Sequence, residues 1–324
     1  GYTEQDVEKR IKQQTHTADV EHVLAWKGRA IFDDGTEERF TDKDFHCYLR
    51  KSGVEQEPGK NNEWFHVDGP TSKGMFNDFR SDHGILKDNT AVIPYTLREE
   101  QDEAVSKTKA YYETHEDGEF LWNAKPRFGK TLSVYDFCKQ IDAVTVLIVT
   151  NRPAIANSWY NDFRQFLGAE SGYTFVSEVD ALKDRPGVVS RAEYLKLLAA
   201  RKAEKIIEFV SLQDMKGSVY FGGHYDKLGE ISKQKGMTWD VLVVDEAHEG
   251  VDTYKTDVAF DQIKRKFTLH LSGTPFKALA NNKFPEEAIF NYTYADEQKR
   301  KRDWDDSSEI ENPYASLPKL NLFT

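Results

Sequence analysis

The chain has 324 residues, 39% of them hydrophobic and 13% aromatic, and a formal net charge of −11. That length allows about two domains, and that apolar content excludes a disordered or low-complexity chain. The acidic total excludes a uniformly basic polymer binder but not a local basic stripe. No apolar run reaches the roughly 20 residues of a membrane helix, and no secretory signal opens the sequence. The two cysteines, Cys47 and Cys138, are far apart and lack metal-ligand spacing, which fits a reduced, cytoplasmic setting. The first residue is glycine and the last six, residues 319–324, read like the start of another element. Both ends are expected to be cut from a longer protein.

Residues 1–67 are polar and broken by turn signals such as Asp34-Gly35 and Pro58-Gly59. Residues 1–16 read as an amphipathic helix with Val7 and Ile11 inward. A second helix is expected to open near Thr41 as its N-cap. Residues 68–91 are rich in Gly, Asp and Ser and read as a linker. His16, His46 and His66 show no metal spacing and read as surface or packing residues.

From residue 92 to about 300 the pattern changes. Short apolar runs at residues 120–122, 144–150, 207–211, 241–244 and 268–271 alternate with helical stretches, among them 131–140 and 153–166. Continuous apolar strands separated by helices predict an α/β domain with a doubly wound parallel sheet, covered on both faces. Such sheets bind ligands at the carboxyl ends of their strands. Residues 301–324 are expected to lead toward a further domain. The only dense basic run, Lys299-Arg300-Lys301-Arg302, reads as a solvated segment after the last core strand.

The chemistry-bearing residues fall at those strand ends. Ala124-Lys125-Pro126-Arg127-Phe128-Gly129-Lys130-Thr131 follows a strand and opens a helix. This is the context of a phosphate loop, in which backbone N–H groups and the helix dipole cradle phosphates. Lys130 would reach the β- and γ-phosphates, and the Thr131 hydroxyl would sit on Mg²⁺. Alanine stands at position 124, where many such loops carry glycine. Asp245 ends an apolar strand and can hold the magnesium shell opposite that loop. Glu246 beside it can orient the attacking water.

Asp245-Glu246-Ala247-His248 resembles the DEAH form of motif II in superfamily 2 helicases and translocases. The resemblance spans about residues 92–295, in the family's order. Ser272-Gly273-Thr274 is similar to motif III, so Ser272, Thr274 and His248 would couple hydrolysis to strand movement. Thr150-Asn151-Arg152 is similar to motif Ia, and Ser211 with Gln213 to a further strand-contacting motif. Tyr95 with the run from Arg98 to Gln101 resembles the glutamine motif, in which Gln101 would read adenine. The resemblance implies a first RecA-like domain that uses ATP and Mg²⁺ and acts on nucleic acid. That family adds a second RecA-like domain with arginine fingers. No such motif follows Thr274, so poor hydrolysis by this chain alone is expected. The Leu271-Ser272-Gly273-Thr274-Pro275-Phe276 form of motif III looks more like restriction-type DNA translocases than RNA helicases.

The amino-terminal stretch also resembles a family. Gly1, Thr3 and a helix carrying Arg10 are similar to the end of a GIY-YIG nuclease signature. Arg10 would stabilise charge on the scissile phosphate, and Glu63 would bind a divalent metal. The signature's tyrosines would lie before residue 1. The reading that follows is an ATP-driven motor on duplex DNA fused to an endonuclease module, related to restriction or phage defence, with restriction-system subunits as possible partners. An RNA helicase with an accessory domain, and a nucleic-acid clamp without nuclease activity, remain as alternatives.

Overall fold

The computed structural model describes residues 7, 23–33, 38–58, 63–86, 91–150, 155–183, 185–199, 203–212, 215, 238–245, 263–273, 284–304, 312–314 and 317. Its centre is one parallel sheet of β1 (Gly118–Ala124), β2 (Thr145–Thr150), β3 (Tyr173–Ser177), β4 (Val188–Val189), β5 (Lys205–Ser211), β6 (Val241–Asp245), β7 (Phe267–Ser272) and β8 (Ile289–Tyr292). The order across the sheet is β4-β3-β5-β2-β6-β7-β1-β8. Every pairing between these strands is parallel. The expected doubly wound α/β architecture is the architecture found.

The reason lies in the strands. β2 reads Thr-Val-Leu-Ile-Val-Thr and β6 Val-Leu-Val-Val-Asp, β-branched and apolar on both faces. Neither face can be left to water, so helices cover both. Alternate residues divide the core in two. Val146, Ile148, Val241, Val243, Ile207 and Phe209 join the larger cluster. There they meet α3 (Glu99–Thr114), α4 (Lys130–Gln140) and α5 (Ala156–Asp162) through Val105, Val134 and Trp159. Leu147, Val149, Leu242 and Val244 face the other way, toward Tyr194 and Leu197 of α6 (Arg191–Ala199). After β8, α7 (Tyr294–Asp303) packs back toward the start of α3.

Three differences from the sequence reading have physical causes. The helix expected over residues 153–166 is α5 continued by a π-wound segment, Phe163–Leu167, which ends at Gly168 with φ 60°. The stretch expected to be a linker contains a helix, α2 (Gly69–Ser81). Asp68 caps it by accepting from the Thr71 N–H at 2.8 Å, and Pro70 sits in its first turn. Phe76 and Phe79 of α2 bury among Phe32, Phe40 and Tyr48, the last on α1 (Asp42–Lys51). The basic run lies in α7 and is not simply solvated. Arg300 pairs with Glu99 and Glu103, and the Lys301 ammonium donates to the Leu317 carbonyl at 2.6 Å.

The small aromatic module docks on the β4 edge. Lys51 donates to the Val188 carbonyl at 3.1 Å, the Gly187 N–H donates to the Leu86 carbonyl at 3.1 Å, and Lys196 pairs with Glu38 at 2.7 Å. An edge strand covered in this way is shielded from pairing with other chains. Among the described residues, no helix is long and apolar enough to cross a membrane.

Beneath α6, Arg191 forms a two-point ion pair with Glu208 of β5, and both side chains are buried. Arg191→Ala would strand a buried carboxylate. A loss of about 3–5 kcal/mol is expected, read as a lowered Tm in a thermal melt.

Candidate nucleotide-binding site

The parallel register sets the residues of the site side by side. Ser211 is opposite Thr150, Thr150 opposite Asp245, Asp245 opposite Leu271, and Leu271 opposite Trp122. Ser272 pairs with Asn123 one step further on. The expected motif residues therefore share the carboxyl edge of the sheet. One strand, β7, separates β6 from β1. At about 4.8 Å per strand, Asp245 lies about 10 Å across from the strand that carries the phosphate loop.

The loop between β1 and α4 is braced from below. Phe128 is 1% exposed and packs against the rings of Trp122, Phe290 and Tyr292. Its carbonyl accepts from Gln101 Nε2 at 2.8 Å and from the Arg98 guanidinium at 2.5 Å. Gly129 caps α4 with φ 89°, a left-handed conformation, and a Cβ there would meet Gln101 Nε2 at 2.3 Å. Glycine is required at that position. Arg127 also has a left-handed backbone, φ 65°, and is exposed. A non-glycine residue held there costs of order 1–3 kcal/mol. Pro126 is exposed beside it.

The open mouth of this loop is the N-terminus of α4. The N–H groups of Lys130, Thr131 and Leu132 are the donors that a helix start leaves without intrahelical partners. The Lys130 ammonium reaches back to the Ala124 carbonyl at 3.0 Å, across the cradle. Positive dipole, backbone N–H donors and an ammonium at one turn are the elements of an anion site.

Two residues expected at the nucleotide have partners within the protein. Lys125 was expected among the phosphate-binding residues. Its ammonium pairs with Glu297 of α7 at 2.6 Å, with side chains 13% and 2% exposed, and its N–H donates to the Tyr292 carbonyl. Lys125 anchors the loop to α7. Gln101 was expected to read adenine. It is 3% exposed, and its amide is engaged at both ends, since Oε1 accepts from the Arg98 N–H at 2.8 Å. In this state Gln101 braces the loop. Glu100 beside it is buried, pairs with Arg98 at 2.6 Å and accepts from the Tyr314 hydroxyl at 2.7 Å. Tyr95 donates to Asp136 of α4 at 2.7 Å, and burial together with that bond raises its pKa.

Asp245 is 7% exposed, and the indole N–H of Trp159 donates to its Oδ2 at 2.9 Å. Burial raises the pKa of half-buried Asp162 on α5, and the Thr131 side chain offsets part of that rise. Trp159 is a functional candidate that sequence reading missed, because nothing in the run Ala156-Asn157-Ser158-Trp159 reports which strand end the indole meets. Thr150, Ser211 and Ser272 were expected to contact or couple to a polymer. Their side chains are buried, between 1% and 2% exposed, so none offers a free hydroxyl at the surface in this state. Asn151, Arg152, Gln213, Glu246, His248, Thr274 and Arg10 lie outside the described residues. Glu63 is exposed. The described residues contain no group of three His, Cys, Asp or Glu side chains able to hold a metal ion.

Residues 94–277 match the family described as type III restriction enzyme, res subunit, and this is more than half of the chain. The chain belongs to that family. It is 27% identical over 269 residues to a putative type II restriction enzyme and methyltransferase (C-terminus) from Mycoplasma pneumoniae. The match covers 71% of this chain and 35% of that relative, so the chain spans about a third of the relative's length. Solved structures with similarity include a nuclease-deletion mutant of the type ISP restriction-modification enzyme LlaGI in complex with a DNA substrate mimic. Its TM-score is 0.46 at 14% identity, over 65% of this chain and 21% of that one. The UvsW helicase from bacteriophage T4 gives 0.40 at 15% identity, over 88% and 77%. The Sulfolobus solfataricus SWI2/SNF2 ATPase core in complex with dsDNA gives 0.40 at 15% identity, over 60% and 36%.

Lys130→Ala removes the ammonium from the cradle without touching the packed side of the loop. Loss of nucleotide affinity by at least about tenfold is expected, since charge-assisted bonds to phosphate are the strong ones. The Tm should stay within a few degrees of the parent. Titration with ATP alongside a thermal melt checks both.

Proposed function

We propose that this chain carries the nucleotide-hydrolysing half of an ATP-driven DNA translocase of the restriction type. The carrying observation is the pairing of the helix start that follows β1 with the buried carboxylate of Asp245 two strands away, on a single sheet edge. A restriction-enzyme family acts on DNA, which makes duplex DNA the preferred polymer over RNA.

Magnesium and a triphosphate fit the residues present. Asp245 and Thr131 offer hard oxygen ligands, and Mg²⁺ accepts one or two protein oxygens, with waters and phosphate oxygens completing its octahedron. When bound, the metal would neutralise charge on the transferred phosphate. Lys130 and the α4 N–H groups hold the β- and γ-phosphates in this reading. Glu246 of the DEAH box orients the attacking water from the residue after Asp245. His248, Ser272 and Thr274 pass the state of the site to the polymer, which Asn151, Arg152 and Gln213 contact from the same edge. Thr150 and Ser211 serve by shaping the strand ends.

An endonuclease module at the amino terminus stays outside the proposal. It rests on Arg10, beyond the described residues, and on Glu63, which is exposed. The described part of this region, two helices around an aromatic cluster, supports a docking role against the β4 edge.

The test is ATPase activity of the longest natural version of the chain, with duplex DNA, with RNA and with neither. Stimulation by duplex DNA is the expected result, and Glu246→Gln should lower kcat by about 10²–10⁴ while ATP still binds. Stimulation by RNA alone would replace the translocase with an RNA helicase. Polymer binding that depends on ATP but survives Glu246→Gln unchanged would replace it with a clamp.

A further inference from the structure

Helix α5 lies beside the site without belonging to any motif singled out in the sequence, yet one expected magnesium ligand is held from it. The Trp159 indole is 1% exposed and its N–H ends on Asp245 Oδ2 at 2.9 Å. The helix is itself fixed to α4. The Tyr135 hydroxyl donates to the Trp159 carbonyl at 2.8 Å, and the two rings meet edge-on at 5.5 Å.

We propose that Trp159 is a positioning residue for the metal shell, acting by orienting the Asp245 carboxylate. This rests on the reading of Asp245 as a magnesium ligand. Indole N–H is a donor with no acceptor and no charge. It takes one lone-pair direction of Oδ2 and stops the buried carboxylate from swinging. Partners of this kind set the geometry of ligands they touch, and their loss costs about 10–100-fold in metal affinity.

The experiment is a Mg²⁺ titration of ATP binding to the full chain, with ATP binding in EDTA measured beside it and a thermal melt for each variant. Trp159→Phe keeps an aromatic ring in the core and removes the N–H. Its Mg²⁺ half-saturation should rise about tenfold, with ATP affinity in EDTA unchanged. Tyr135→Phe, which removes the hydroxyl that holds the Trp159 carbonyl, should shift Mg²⁺ half-saturation in the same direction by less, and it carries the test if Trp159→Phe fails to fold. Asp245→Ala is the reference. If the parent binds ATP with no Mg²⁺ dependence, or Asp245→Ala leaves that dependence unmoved, the underlying ligand reading fails. If Asp245→Ala shifts the titration and the folded Trp159 and Tyr135 variants do not, only the positioning role is overturned.

Discussion

The site depends on the register of a parallel ladder. Ser211, Thr150 and Asp245 stand in one row because β5, β2 and β6 pair without offset. A slip of one residue in any of them would turn its last side chain to the opposite face of the sheet. What holds the register is burial on both sides. Val146, Ile148, Val241 and Val243 fill one core, and Leu147, Val149, Leu242 and Val244 the other. A slipped strand would have to re-sort apolar side chains on both faces at once. The polar residues at the strand ends are thereby placed by apolar residues several positions earlier.

The phosphate loop follows a related logic with different means. Its conformation includes two left-handed residues, Arg127 and Gly129, which a free chain would rarely adopt together. Three attachments hold it there: the Phe128 ring in the aromatic core, the Phe128 carbonyl on Gln101 and Arg98, and Lys125 on Glu297. Each uses a side that a phosphate would not occupy. The mouth is left to Lys130 and the first N–H groups of α4. A loop fixed before its ligand arrives loses little ordering entropy on binding.

Much of this was legible in the residues. The apolar runs gave five strands to within a residue or two, because fully buried parallel strands read as unbroken β-branched stretches. The Gly129-Lys130-Thr131 turn and Asp245 announced themselves by what precedes and follows them. β3, β4 and β8 were not picked out, being runs of only five, two and four residues. α2 was hidden by a composition of Gly, Ser and Asp, although Asp68 and Pro70 form a helix start and Phe76 and Phe79 share a face. Gln101 and Lys125 were read at this loop without the partners that hold them in the structure. Their partners, Phe128 and Glu297, are 27 and 172 positions away. No local pattern reports a contact of that range, and the same holds for Trp159 and Asp245.

The Lys125–Glu297 pair has a thermodynamic consequence. Neither charge can leave the other without remaining buried and uncompensated, which is costly. The phosphate loop and α7 are therefore a single mechanical piece, and a shift of one is a shift of the other. Reciprocity follows from linkage. Whatever free energy a ligand in the cradle spends on displacing α7 is the same free energy by which a displaced α7 alters the ligand's affinity. Through one buried ammonium, occupancy of the cradle and the position of the helix that leaves the sheet become two readings of one equilibrium.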